Sequence, residues 1–402
     1  MTSSSIEKRT KKTLLFFFNP FISAITSLRD IRDGFSHKLL YCWFLIFGIG
    51  FCAINEAADS FRYVEAFVKE SHYTWEQFVQ EIKYWFSFEG NTKDIYTLVV
   101  NYVVGQFSDN YHWTFFIYAI VFGFFYVKSL KIFLKYTTKN DYLFYALLFI
   151  FCFSNPIFNI NGVRFYTAAW IGVYVGLKLF VEKRPGYLPL LLLMPLIHGS
   201  SVIWVVVMAI AWLTQAFQSI WIVLFVASSF VSAITYLPIV DKYYDLLPQF
   251  MQNQIWSYTE SEEAIERIQG HSVYGKAYAD FLVALPGYFS LLICYILIFN
   301  RKQINALTSR KHLLTILLAL SAMTNFLSSI PSVGRFRTMV IPLMVIVWIQ
   351  NSCSLKKYYN LFYWVPVIYA YTLLYWFRNM MSVTELWLYV FPAPITIFHY
   401  LF

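Results

Sequence analysis

Apolar runs close to the length of a bilayer crossing recur along this chain from residue 39 to its last residue. Short turns that hold most of its lysines and arginines separate them. A helix of about 20 apolar residues spans the hydrocarbon core, and backbone inside that core must satisfy its own hydrogen bonds. With 59% of 402 residues hydrophobic and 13% charged, there is too little polar surface for a soluble fold of this size. The expected fold class is all-α: a polytopic integral membrane protein. Residues 1–38 form a cytoplasmic or interfacial segment, and 39–402 form a single transmembrane domain. The net charge of +9 does not signal nucleic acid, because the basic residues follow the positive-inside pattern of short membrane loops. Five cysteines (Cys42, Cys52, Cys152, Cys294 and Cys353) lack metal spacing and read as small hydrophobes. Residues 3–12 are polar and basic with no cleavage site after the first long apolar run, so no signal peptide is expected.

Charge and parity give a topology. Lys8, Arg9, Lys11, Lys12, Arg29, Arg32 and Lys38 put the N-terminus in the cytoplasm, and 14–28, interrupted at Asn19-Pro20, lies along the membrane surface. A first crossing at 39–58 delivers Asp59 to the outside, and 113–134 returns to Lys135. The intervening 59–110 region is acidic and aromatic and reads as an extracytoplasmic loop with amphipathic helices. Residues 142–158 go out and 164–181 come back to Glu182-Lys183-Arg184. The acidic stretch at about 239–275 is a second outer loop, so an odd number of crossings separates it from Arg184. With one crossing at 219–237, that parity requires 187–213 to be two half-length helices, broken at Pro195 and His198-Gly199. Crossings at 277–299, 313–330, 336–349, 358–377 and 386–402 follow and leave the C-terminus cytoplasmic. About ten full crossings plus the broken pair result.

On this topology Asp59, Arg62, Arg164, His198, Arg335, Arg337 and Arg378 all gather on the outer side. Arginine there runs against the positive-inside rule, and guanidinium groups suit bidentate binding of phosphate or pyrophosphate. Each residue also has a plainer reading. Arg378 beside Trp376 can anchor at the interface, and Asp59 and Arg62, three apart on a helix, can pair with each other. One of Arg335 and Arg337 can snorkel, and a histidine on an apolar helix is commonly satisfied by a carbonyl. The 41 Phe, 31 Tyr and 13 Trp supply interfacial belts; an aromatic-lined groove for sugars or headgroups is the other reading. There is no P-loop, dinucleotide fingerprint, zincin motif, nucleophile elbow or carboxylate cluster, and so no cofactor or metal site is expected.

Several motifs together resemble the EpsG-type, Wzy-like bacterial polysaccharide polymerases. They are D-x-x-x-Y from Asp59 to Tyr63, the aromatic segment near Asn101 and N-x-[IV]-R from Asn161 to Arg164. A short basic turn, H-x-S from His198 to Ser200 and [RG]-R-F from Gly334 to Phe336 complete the set. The family often has glutamine after the arginine, where this chain has Phe165. The resemblance implies a GT-C-like membrane glycosyltransferase of the bacterial inner membrane. Its substrate would be an undecaprenyl-pyrophosphate-linked oligosaccharide, polymerised at the outer face into O-antigen, capsular or exopolysaccharide. It implies Arg164 on the donor pyrophosphate, Arg335 with Arg337 as a second clamp, and His198 or Asp59 as base. Membrane lipid is the surroundings, and a chain-length regulator is a further partner to consider.

A transporter or flippase for a lipid-linked glycan is the competing class. It calls for internal pseudo-symmetry and polar groups reaching the membrane midplane; the sequence shows no convincing repeat and gathers its polar residues on one side. A sugar-modifying acyltransferase would also use a histidine at membrane depth, but the inward loops are short.

Overall fold

Pro and Gly interrupt several of the apolar runs of this chain, at Asn19-Pro20, Gly50, Pro156, His198-Gly199 and Pro392 among others. The computed structural model describes residues 3–54, 56, 58–87, 95–137, 141–231, 252, 277–306, 308–328 and 333–402. Among these residues every regular element is helical, and a lone antiparallel bridge joins Phe51 to Thr384. In chain order the α-helices are α1 (Ser3–Phe18), α2 (Pro20–Arg29), α3 (Gly34–Ile49), α4 (Asp59–Glu70), α5 (Trp75–Ser87), α6 (Ile95–Gly105), α7 (His112–Lys135), α8 (Tyr142–Phe153) and α9 (Val163–Gly176). Then come α10 (Leu193–Ile197), α11 (Val202–Leu213), α12 (Gln218–Ser228), α13 (Ala277–Phe299), α14 (Thr308–Phe326), α15 (Arg337–Gln350), α16 (Val365–Met381), α17 (Trp387–Val390) and α18 (Ala393–Leu401), with a single helical turn, Arg301–Ile304, between α13 and α14. Short polar side chains start several of them. Asn19 caps α2 through Ile22 N, Asp33 caps α3 through Phe35 N, and Asp141 caps α8 through Phe144 N.

The centre of the bundle is α9, whose residues from Thr167 to Gly176 are all buried. Helix α7 runs parallel to it, with Phe122 6.5 Å from Trp170 and Phe125 5.7 Å from Tyr174 between ring centroids. Helix α15 also runs parallel: Phe336, just before it, lies 5.2 Å from Phe165, and Met339 reaches Gly172. Helix α3 runs antiparallel to α7. There the backbones approach so closely that a Cβ on Gly48 would stand 2.5 Å from Ala119 Cβ and 2.6 Å from the Phe115 carbonyl oxygen.

Helices α8 and α9 form a hairpin. Phe151 packs 5.7 Å from Trp170, and the turn is stitched by Asn155, whose carbonyl accepts from Trp170 Nε1 and whose Nδ2 donates to the Tyr166 carbonyl. At the other end of α9, Glu182 accepts from Lys135 and Lys178, and the Lys178 ammonium lies over Tyr174 and Tyr187. Burial raises the Glu182 carboxyl, but the two lysines outweigh it and hold the group below its ordinary value. Lys183 takes a positive φ of 54°, which reverses the chain ahead of Pro185.

The reversal starts the break that parity requires. Residues Pro185–Ile197 climb antiparallel to α9: Tyr187 meets Tyr174, Met194 reaches Gly172, and His198 lies 5.3 Å from Phe165. His198 itself is extended (φ −152°, ψ 114°). After the short turn Gly199–Ser201, α11 descends along α9, with Trp204 4.9 Å from Phe165 and Met208 against Gly176. A second bend of 85° separates α11 from α12.

Three expectations change. Among the described residues, three stretches are long and apolar enough to cross a membrane: His112–Lys135, Tyr142–Val181 and Phe281–Phe299. The bent α11–α12 pair makes a fourth if counted as one span. About ten full crossings are therefore not seen among the described residues: several of the expected crossings, such as 39–58, 336–349 and 386–402, form helices too short for a span. Residues 386–402 do not form a final crossing. Phe391 is extended before Pro392, and the chain doubles back until the Tyr400 hydroxyl donates to Glu385 at 2.8 Å and its carbonyl accepts from Asn110. The end of the chain thus lies at the same end of the bundle as Gly50 and His112, not opposite to it. Residues 14–28 turn at Asn19-Pro20 as expected, yet α2 packs along α3 with Pro20, Ser23, Ala24 and Ser27 buried while Ile22 and Ile25 face outward. The acidic stretch at about 239–275 lies outside the described residues, Gln252 excepted.

The Gly48 contact gives a direct test. Gly48→Ala has to push α3 off the α7 backbone and should cost about 1–3 kcal/mol, whereas Gly186→Ala, with open space around it, should stay within about 0.5 kcal/mol. Thermal melts of the detergent-solubilised variants measure the difference.

Candidate functional site

Four breaks in the helices meet at one end of the bundle, and the polar side chains lie at those breaks. They are the start of α4, the 3-10 turn Ile157–Gly162 leading into α9, the His198 break, and the 3-10 turn Val333–Phe336 leading into α15. Asn161 joins the first two by accepting the Ser60 backbone N–H at 3.2 Å. Gly162 lets them close up: a Cβ there would stand 3.1 Å from the Tyr166 ring and 3.7 Å from Asp59 Oδ2. Asp59 is the first residue of α4, where the helix dipole favours a carboxylate.

Two guanidinium groups flank this junction. Arg335 Nη1 stands 3.7 Å from Asp59 Oδ2, with both side chains a little over one-third exposed. Arg164 donates from Nε to the Tyr63 hydroxyl at 3.2 Å, and its guanidinium carbon lies 5.1 Å from the centroid of the Tyr63 ring. Tyr63 is one turn on from Asp59 in α4 and is buried. Tyr166 lies within electrostatic reach of both Asp59 and Arg335. The result is a half-open polar patch with two cations, one carboxylate and tyrosine hydroxyls, set on rigid helix ends.

His198 faces the same region from the far side of an aromatic cluster. Phe165, Trp204 and Phe336 pack on one another at 4.9–5.2 Å, and His198 meets the Phe165 ring edge-on. Its Nδ1 is 2.8 Å from Ser200 Oγ; which atom donates follows the tautomer. That bond fixes the ring orientation. Phe165, which stands where glutamine is common in the resembled family, is therefore a packing residue here: it buries against the break that holds His198.

The structure does not unite all seven candidates. Asp59 faces Arg335 rather than Arg62, and Arg62 is exposed. Arg378 is exposed beyond Trp376, which packs on Phe153 and Phe158. Arg335 and Arg337 diverge: the Arg337 guanidinium lies against Gly287 of α13, beside the Pro286 kink, and not on the Asp59 side. Tyr63, Asn161, Ser200 and Tyr166 are the polar residues to which sequence reasoning gave no role. The first three sit inside motifs it singled out, so the signal was present as spacing without a partner.

A family model described as the EpsG family matches residues 35–392, most of the chain. No curated protein and no solved structure matches the chain.

Half-exposed charges on the patch and a buried aromatic floor beneath it predict different costs on substitution. Asp59→Asn and Arg335→Ala should each change stability by less than about 1 kcal/mol, as half-exposed pairs do. Phe165→Ala should cost about 3–5 kcal/mol. Chemical or thermal unfolding in detergent distinguishes the two classes.

Proposed function

The chain belongs to the EpsG family, and from that premise we propose that it is a membrane glycosyltransferase that polymerises lipid-linked oligosaccharide repeat units into an O-antigen, capsular or exopolysaccharide. The donor is a glycan on undecaprenyl pyrophosphate, and the site end of the bundle faces the outer side of a bacterial inner membrane. The observation that carries the reading is that Arg335 and Arg164 lie against α4 one turn apart, at Asp59 and Tyr63. Two guanidiniums on rigid helix ends suit a diphosphate, which carries more charge than one cation can neutralise. All polar residues of the patch lie at one end of the helices, which favours a one-sided enzyme over a transporter.

In this reading Arg164, held by Tyr63, binds the donor pyrophosphate, and Arg335 is the second clamp. Both stabilise the charge that grows on the leaving group. The exposed Arg62 and Arg378 draw a polyanion to the rim, and Arg337, turned toward α13, stands outside the clamp. An acceptor hydroxyl attacks the anomeric carbon. A carbon–oxygen bond forms, the bond to the pyrophosphate breaks with its electron pair on the leaving oxygen, and the hydroxyl proton passes to the His198 imidazole. The lipid-linked sugar is already activated, so no nucleotide or metal enters the scheme.

Arg164→Ala is expected to leave the protein in the membrane and abolish long glycan chains, read on glycan ladders from cells. Wild-type chain lengths in that variant would contradict the pyrophosphate role. Arg164→Lys should recover little, because an ammonium lacks the planar fork.

The base assignment has its own readout. His198→Ala should lower the polymerisation rate by about 100-fold or more and remove the acid limb of its pH dependence. An unchanged pH profile in membranes carrying the variant would exclude His198 as the proton acceptor.

A further inference from the structure

We propose that Asp59 is a resting-state counter-ion for Arg335, displaced by the anionic group of the ligand, and not a base. The inference rests on the anion-binding reading of the site given above. It starts from the geometry of the pair. At 3.7 Å, with both side chains a little over one-third exposed, Asp59 and Arg335 form a loose contact and not a bidentate bridge. An ion pair of that kind is weak and exchanges readily. A phosphate oxygen pair can dock on the guanidinium in the planar, two-bonded geometry that the carboxylate does not use.

The surroundings hold Asp59 in place whether or not Arg335 is taken. The N-terminus of α4 stabilises its charge, and Asn161 fixes that N-terminus through Ser60 N. Gly162 leaves room beside Oδ2. When Arg335 turns to the ligand, the carboxylate stays where α4 holds it and loses its counter-ion. Giving up that contact costs part of the binding energy, so Asp59 weakens ligand binding and speeds release of the product pyrophosphate. A diphosphate is the anion that suits the patch, since Arg164 lies against Tyr63, one turn along α4 from Asp59, and can take its second phosphate.

Binding of inorganic pyrophosphate to the purified full-length protein tests this by titration calorimetry. Asp59→Asn is expected to tighten binding about fivefold, within the range a weak pair can exert. The same substitution in an Arg335→Ala background should give no gain. Glu65→Gln, which removes an exposed charge from the same helix, should change affinity by less than twofold, as a screened charge does. Unchanged or weaker binding in Asp59→Asn would overturn the proposal. So would an equal gain from Glu65→Gln, or a gain that persists without Arg335. Failure here is separable from failure of the polymerase reading: wild-type glycan in Arg164→Ala would sink the latter without altering the Asp59 titration.

Discussion

A helix that stops inside an apolar bundle leaves backbone donors and acceptors that lipid cannot satisfy. The architecture of this protein follows from where it places such stops. The breaks at Asp59, Asn161-Gly162, His198-Gly199 and Gly334-Arg335 lie together at one end of the buried helix α9. Each is supported by protein: Asn161 takes the Ser60 N–H, Asn155 spans from Trp170 to Tyr166, His198 is held through Met194 and Ser201, and Thr338 donates to the Arg335 carbonyl. Polar side chains follow because these positions already need polar neighbours. The opposite end closes with lysines around Glu182.

The sequence was legible where one physical rule acts alone. The break at His198 follows from loop charge and parity with Pro195 and Gly199 as breakers, and the structure has an extended residue there. The out-and-back path of 142–181 is likewise readable, and the chain turns at Asn155. Legibility failed where long-range contacts decide. Nothing local reveals that Asp59 faces Arg335, more than 270 residues away, instead of Arg62. The doubling back of 386–402 depends on Tyr400 finding Glu385 and Asn110, which hydropathy cannot see. Arg335 and Arg337 look equivalent around Phe336, yet the burial of Phe336 against Phe165 and Trp204 sends them to opposite sides.

That divergence shapes the site. Phe336 and Phe165 wedge together as part of the aromatic floor, so the residues flanking each are forced outward: Arg335 toward α4, and Arg164 toward Tyr63. Packing of apolar rings thereby aims the guanidiniums. The same floor carries His198, so the phosphate side and the proton-accepting side of the proposed reaction share one rigid support. The phenylalanine at 165 serves this arrangement in place of an amide.

The central claim is that this patch transfers glycan from a lipid pyrophosphate without any further component. Reconstitution tests it most directly: purified protein in lipid vesicles with an undecaprenyl-pyrophosphate-linked repeat unit as sole substrate, products resolved by gel. The account predicts a ladder of glycans spaced by one repeat unit, with undecaprenyl pyrophosphate released. Substrate that stays monomeric with active-site residues intact, or that only changes leaflet, would contradict it.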